Sequence, residues 1–215
     1  MRGRQSFLAI LGWQMKKLVA GLLLSLGIVS MVQAEGNAQN GEALSVPCSA
    51  CHGTDGNSLS DAFPKLAGQH ESYLLKQLQE MKAGDRANPT MIGQLDNLSE
   101  QDLEDLAAYF ASQAPSIGTA NPDLVAAGEK VYRAGNLETG VVACTACHSP
   151  TGRGNGPAKF PALGGQHAAY IVTQLKAFRA GERTNDGESQ MMRTITFRMN
   201  DKEIEAVASY ISGLH

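Results

Sequence analysis

The stretch CSACH at residues 48–52 returns as CTACH at residues 144–148. Each copy places two cysteines three positions apart, with a histidine directly behind the second. The chain contains four cysteines, and all four belong to these two motifs. Every thiol of the protein is therefore part of one repeated arrangement, whose members are Cys48, Cys51, His52, Cys144, Cys147 and His148.

A longer repeat surrounds the two motifs. Residues 63–86 and 160–183 align without a gap, and twelve of the twenty-four aligned positions are identical. Such self-similarity indicates an internal duplication and predicts two similar domains in tandem. We expect them over residues 35–115 and 124–215. The linker over residues 116–123 follows from Pro115, Gly118 and Pro122, which interrupt any helix there.

Apolar periodicity predicts an all-α fold. Apolar residues recur at i, i+3, i+4 and i+7 behind Ser99 and behind Asn200. Each of these polar residues has an acidic residue three positions later, which is the spacing of an N-cap and its N3 partner. Further helices are predicted over residues 42–46, 73–82, 124–134 and 170–179. Lobes of this size with a few short helices have thin cores, so we expect a large apolar group to fill each one.

The first 34 residues resemble a secretory signal peptide. They hold four basic residues and no acidic ones, an apolar run from Leu18 to Val32 and a small residue, Ala34, at a cleavage-like position. A start at Met15 would leave a signal of ordinary length. An uncleaved anchor helix is the alternative, although the apolar run is shorter than the roughly 20 residues that a membrane span needs.

The remaining residues 35–215 are acidic and unevenly charged. They hold 14 basic and 21 acidic side chains, a net charge of −7, which argues against a nucleic acid partner. Residues 35–120 hold 4 basic and 12 acidic side chains, a net charge of −8. Residues 121–215 hold 10 basic and 9 acidic side chains, a net charge of +1. The two predicted domains therefore differ strongly in charge.

Four kinds of chemistry use paired cysteines. A disulfide within one motif would close too small a loop to stabilise much and would leave both histidines without a role. A thioredoxin-like redox pair needs a βαβ setting that is missing. A four-cysteine zinc site needs its pairs about 12 to 20 residues apart, whereas Cys51 and Cys144 are 93 apart. The fourth is covalent attachment of haem c, in which both thiols add to the porphyrin vinyl groups and the histidine binds iron. Two motifs predict two haems.

Methionines offer a second axial ligand for each iron. Met91 and Met192 occupy matched positions, 39 and 44 residues after the motif histidine. This pattern favours His/Met ligation, although Met191 is an alternative to Met192. A vacant iron or a bis-histidine iron is the alternative to methionine ligation.

The remaining candidates have structural explanations. Met81 aligns with Phe178 and Met199 aligns with Leu98, so both methionines are interpreted as core residues. His70 and His167 stand at matched positions at the start of a helix, and we expect them to serve in a turn or a cap.

The order CxxCH, FPxL, GQH, Met and capped helix, found twice, resembles the dihaem cytochrome c4 family, a tandem pair of class I cytochrome c domains. The resemblance implies thioether links at the four cysteines and axial His52, His148, Met91 and Met192. It also implies that the carbonyl groups of Pro64 and Pro161 accept the other imidazole N–H. Extra residues in NDGESQM of the second copy keep Met191 and Met192 both open.

The expected function is electron transfer rather than catalysis. Family members are periplasmic, soluble or membrane-associated carriers that often feed a terminal oxidase, so the expected partners are redox donor and acceptor proteins and not a small-molecule substrate. Six-coordinate iron leaves no position for a substrate. The alternatives are the cytochrome subunit of a dehydrogenase complex of the flavocytochrome type and a dihaem peroxidase.

Overall fold

The computed structural model describes residues 36–215, which contain helices, turns and loops but no β-strand. Two isolated β-bridges join Asn136 to Val141 and Asn155 to Phe160. This confirms the all-α prediction. The predicted signal peptide, residues 1–34, and the alternative start at Met15 lie outside the described residues.

The helices follow the same order in each half of the chain. The first lobe contains α1 (Ala38–Leu44), α2 (Ser49–His52), α3 (Glu71–Ala83) and α4 (Glu100–Ser112), with 3-10 turns at Val46–Cys48 and Pro89–Met91. The second lobe contains α5 (Pro122–Ala134), α6 (Thr145–His148), α7 (Ala168–Ala180), α8 (Met191–Thr196) and α9 (Asp201–Ser212).

Helix ends follow the local sequence signals. Ser99 Oγ accepts a hydrogen bond from the Asp102 backbone N–H, and the Asp102 carboxylate accepts one from the Ser99 backbone N–H. Asn200 and Glu203 form the same reciprocal cap before α9. Helices α3 and α7 end at left-handed glycines, where a side chain would be strained. These predicted caps and glycine stops are confirmed.

Helices α3 and α7 each begin two residues before the predicted start, and two other helix starts differ for local reasons. Helix α1 begins four residues earlier than predicted because the Asn37 side chain caps it, accepting from the N–H groups of Gln39 and Asn40. Pro122 does not interrupt a helix but opens α5, since a proline at the first helical position lacks only a donor that would be unpaired there anyway.

The first helix of each lobe packs against the last one, α1 on α4 and α5 on α9. Both contacts depend on a glycine. A Cβ on Gly41 would lie 2.0 Å from the Asp105 carbonyl oxygen, and a Cβ on Gly128 would lie 2.2 Å from that of Ala206. The backbones therefore approach more closely than any side chain allows.

Each lobe has its own apolar cluster around its last helix. The first cluster includes Leu74, Leu106, Ala107, Tyr109 and Phe110. The second includes Tyr132, Ile171, Met199, Ile204, Val207 and Ile211. Met199 is buried in this cluster, which confirms its interpretation as a core residue.

Side chains of the GQH segments cross between the lobes, within the one compact unit that the described residues form. His70 and His167 occupy N-cap positions, but neither side chain makes a capping hydrogen bond. His70 Nε2 instead lies 2.6 Å from the Arg153 carbonyl oxygen, and His167 Nε2 lies 3.0 Å from that of Ser58. Both histidines stand at the helix starts as expected, but their side chains do not cap. Each Nε2 instead contacts a carbonyl oxygen of the opposite lobe, an acceptor that the first turn of a helix, with its free N–H donors, does not offer.

Candidate functional site

The histidines of the two CxxCH motifs are buried at the ends of α2 and α6. His52 is 8% exposed and His148 is 7% exposed. His52 Nδ1 lies 2.9 Å from the carbonyl oxygen of Pro64, and His148 Nδ1 lies 3.0 Å from that of Pro161. A carbonyl oxygen only accepts, so Nδ1 carries the proton and donates. In the neutral ring, the proton on Nδ1 leaves Nε2 unprotonated.

Burial favours the neutral form of these rings. It lowers the pKa of His52 and of His148, although the hydrogen bond to the proline carbonyl acts in the opposite direction. A neutral imidazole held through Nδ1 presents the Nε2 lone pair in a fixed direction, which is how histidine binds a metal ion.

An aromatic ring stands beside each histidine. Phe63 lies with its ring centroid 6.3 Å from that of His52, in an edge orientation. Phe160 lies 6.3 Å from His148 in a tilted orientation. These phenylalanines directly precede Pro64 and Pro161, so the FP pair that opens each repeat supplies both a ring contact and the hydrogen-bond acceptor.

The cysteines lie on the turns that lead to these histidines. All four lie within residues 36–215, where they are half-buried and free of disulfide bonds. Burial raises the pKa of the Cys48 thiol, and it raises that of Cys144 to about 11. No group of three or more His, Cys, Asp or Glu side chains in the described range could hold a metal ion. The donor set in each lobe is thus one histidine nitrogen beside two thiols, which fits haem c.

In the first lobe, Met91 is half-buried at the end of the 3-10 turn Pro89–Met91. It lines a cavity of about 210 Å3 together with Met81, Pro89 and Ile92. Met81 was expected in the core, but it is only half-buried, and its sulfur accepts a hydrogen bond from Asn88 Nδ2. The first lobe therefore brings two methionines to one cavity.

In the second lobe, Met191 and Met192 open α8. Met191 is 41% exposed, whereas Met192 is half-buried. The extra residues before them are fixed by Asp186, whose carboxylate accepts from the backbone N–H and Nε of Arg193 at 2.9 and 2.8 Å. The difference in exposure favours Met192 as the inward-facing methionine.

Comparison with known proteins identifies the family. The cytochrome c family profile matches residues 38–114 and again residues 125–215. Cytochrome c4 of Azotobacter vinelandii is 52% identical over 210 residues, a stretch that covers 94% of this chain and 100% of the relative. The chain belongs to the dihaem cytochrome c4 family.

A solved relative of this cytochrome c4 family member has the fold described above, and a further relative is similar in sequence. The crystal structure of reduced recombinant cytochrome c4 from Pseudomonas stutzeri has 54% sequence identity and a TM-score of 0.82, and the match covers 84% of this chain and 100% of that one. A protein of Stutzerimonas stutzeri described as a thiosulfate dehydrogenase electron acceptor is 36% identical over 201 residues, covering 91% of this chain and 92% of the relative.

Membership of the cytochrome c4 family establishes the class of function. The chain carries two covalently bound haem c groups and is an electron-transfer protein rather than an enzyme. The residues described above suit this cofactor, because each lobe offers two thiols and a neutral, oriented imidazole. Within residues 36–215 no helix is long and apolar enough to cross a membrane.

The sequence also contains residues whose importance the motifs did not reveal. Arg86 and Arg183 close the segments AGDR and AGER, which were interpreted only as helix stops. Both arginines are buried between the lobes. Their matched positions in the two repeats, together with the repeated Gln of GQH, were the signal that could have identified a contact shared by the two halves of the chain.

Proposed function

We propose that the chain is a periplasmic carrier that passes single electrons to a terminal oxidase or another respiratory acceptor. In this proposal each lobe holds one haem c between a histidine and a methionine. The ligands would be His52 with Met91 in the first lobe and His148 with Met192 in the second. The thioether links would be at Cys48, Cys51, Cys144 and Cys147, and the imidazole N–H acceptors at Pro64 and Pro161.

The bound haem iron supplies a reversible one-electron couple between its ferric and ferrous states. The chain's own residues would tune that couple. The thioethers of Met91 and Met192 are neutral, soft ligands and favour the reduced iron more than a second histidine would. The hydrogen bonds from His52 and His148 to proline carbonyls would keep each ring in one orientation in both oxidation states.

The observation that carries the proposal is the repetition of this arrangement. Each lobe has a buried histidine that donates through Nδ1 to a proline carbonyl and a half-buried methionine in the corresponding segment of the repeat. Two protein ligands per iron leave no coordination position for a substrate. Such a site exchanges electrons with little rearrangement.

An absorption spectrum of the oxidised protein tests the ligands, because methionine-ligated ferric haem has a weak band at about 700 nm. Intact mass and cell fractionation test export: we expect residues 35–215 plus two haems, recovered from the periplasm. A cytoplasmic protein that retains residues 1–34 would contradict the location, and an oxidised spectrum without the band would contradict the ligands.

A second candidate function is the electron acceptor or cytochrome subunit of a dehydrogenase. It is favoured by the likeness to the thiosulfate dehydrogenase electron acceptor. Co-purification from the native host discriminates between the two. A stable complex with a catalytic dehydrogenase chain would favour the second function, whereas a free protein that an oxidase preparation oxidises would favour the first.

A further inference from the structure

Two arginines meet between the lobes and share their hydrogen-bond acceptors. Arg86 is 7% exposed and Arg183 is 8% exposed. Gln77 Oε1 accepts from Arg86 Nη1 at 2.9 Å and from Arg183 Nη2 at 3.0 Å. Gln174 Oε1 accepts from Arg183 Nη1 at 2.7 Å and from Arg86 Nη2 at 3.2 Å. One glutamine from each lobe thus holds both guanidinium groups close together.

Each arginine also reaches a tyrosine of the opposite lobe. Arg86 Nη2 donates to the Tyr170 hydroxyl at 3.1 Å, and Arg183 Nη2 donates to the Tyr73 hydroxyl at 3.1 Å. Arg183 Nε additionally donates to Asn185 Oδ1 at 2.9 Å. All of these acceptors are neutral side chains.

The cluster therefore has an excess of positive charge. Within residues 36–215 no carboxylate pairs directly with either guanidinium. The nearby carboxylate of Glu80 binds Lys76 Nζ at 2.6 Å and Asn185 Nδ2 at 2.7 Å. Glu80 also favours the charged form of Arg183, but with Lys76 beside it the four groups keep a net positive charge.

The ionisation of Tyr73 reflects this positive potential. Burial by itself would raise the pKa of the Tyr73 phenol, but the guanidinium groups of Arg183 and Arg86 stabilise the phenolate. The net effect is a pKa below the ordinary value for tyrosine.

Each arginine also packs within its own lobe. Arg86 lines the cavity that Met91 and Met81 also line. Arg183 stacks on Phe178, with its Cζ 4.5 Å from the ring centroid, and Phe178 is the counterpart of Met81 in the repeat. Arg86 therefore lies at the methionine cavity of the first lobe, and both arginines donate to side chains of the other lobe.

We propose that Arg86 and Arg183 form one shared cationic element that raises the reduction potentials of both haems together. Ferric iron carries one more positive charge than ferrous iron, so a positive charge nearby favours reduction. Charges buried between the lobes are screened far less than those on the surface. This inference requires that the chain bind two haems, as its family does. It rests on the proposed axial ligands only for the step that assigns a measured potential to one lobe.

Redox titration of Arg86→Gln and Arg183→Gln tests the proposal. Each single variant should lower both midpoint potentials, with the equilibrium constant for reduction of each haem falling about threefold, which is ~28 mV for one electron. Arg86→Lys keeps the positive charge but loses the forked hydrogen-bonding geometry of the guanidinium group. Its potentials should therefore stay near the wild-type values. Glu80→Gln removes negative charge from the cluster and should raise both steps.

Lys202→Gln is the matched control, since Lys202 is an exposed cation of the second lobe; it should leave both steps unchanged. The proposal is overturned if Arg86→Gln and Arg183→Gln each move only the step of their own lobe, or if neither moves a step. If either arginine variant fails to fold, the Glu80→Gln titration still tests the proposal, because potentials that fall or stay unchanged in that variant would contradict it. Loss of the proposed His/Met ligation would instead appear in the wild-type spectrum, independently of these shifts.

Discussion

Gln69 and Gln166 make the same pair of hydrogen bonds in opposite directions across the lobe interface. Gln69 Nε2 donates to the Ala162 carbonyl oxygen and its Oε1 accepts from the Ala162 N–H, both at 2.8 Å. Gln166 does the same with Lys65, both at 2.9 Å. The glutamine of each repeat thus binds the backbone of the FPxL segment in the other repeat. The two contacts are related to each other as if by a two-fold axis.

Replacing either glutamine should lower the free energy of unfolding of residues 36–215. Gln69→Ala leaves the Ala162 N–H and carbonyl without partners, and an unsatisfied pair in a partly buried contact costs about 1–3 kcal/mol. Urea denaturation should show this loss in the free energy of unfolding. Gln79→Ala is the control, since the exposed Gln79 side chain bonds only Glu100, and it should stay within about 0.5 kcal/mol of wild type. Equal values for the two variants would mean that the interface bonds contribute little.

Met91→Ala should change one haem and spare the other. Each repeat supplies its own proposed axial methionine, so the ferric band at about 700 nm should fall by about half. Met199→Leu is the control because Met199 lies in the core of the second lobe, and its full band should remain. An unchanged band in Met91→Ala would show that the two repeats are misaligned at this position.

The two methionines that open α8 are distinguishable by substitution. Met192→Ala alone should remove the half of the band that belongs to the second lobe. Met191→Ala should leave the full band, because Met191 is the more exposed of the two. The same spectrum measures both variants. The reverse outcome would assign the ligand to Met191, which lies 43 rather than 44 residues after His148.

The haem of the first lobe should have the lower reduction potential. Residues 35–120 carry a net charge of −8 and residues 121–215 carry +1, and negative charge stabilises ferric iron. Screening reduces surface terms several-fold, so we expect a difference on the order of tens of millivolts. Arg86 and Arg183 act on both haems and leave this order unchanged.

A labelled redox titration checks this order. Met91→His should lower the potential of the haem at His52 and so identify its step. A shift of the higher wild-type step would contradict the charge argument. If the order holds, an electron that enters the acidic lobe runs downhill to the second lobe, and a basic partner protein suits the first lobe.

Acid should weaken the contact between α1 and α4. Asp105 is buried, and its carboxylate accepts from the Asn37 backbone N–H at 2.7 Å, which lowers the pKa of Asp105. A depressed carboxyl pKa stabilises the fold above the unfolded value of about 3.9, and that contribution disappears as the pH falls through the folded value. Asp105→Asn should therefore lower the free energy of unfolding at pH 7 and lose less of it on acidification. The exposed Asp96→Asn should follow wild type in both respects.

The sequence by itself determined the features that depend on local chemistry. Two CxxCH motifs within a duplicated segment predicted two haem-binding helical lobes, because thiol spacing and helix caps need only neighbouring residues. The caps at Ser99 and Asn200 and the glycine stops of α3 and α7 appear where the sequence predicts them.

The tertiary structure decided which residues lie between the lobes. His70 and His167 fit a capping role in sequence, yet their rings bind carbonyl groups of the opposite lobe. Arg86 and Arg183 are counterparts at the ends of matching helices, and only docking of the lobes buries them against the same two glutamines. Burial and shared acceptors depend on how two distant surfaces meet. Hydrophobic periodicity within one segment does not indicate how two segments that are distant in sequence pack against each other.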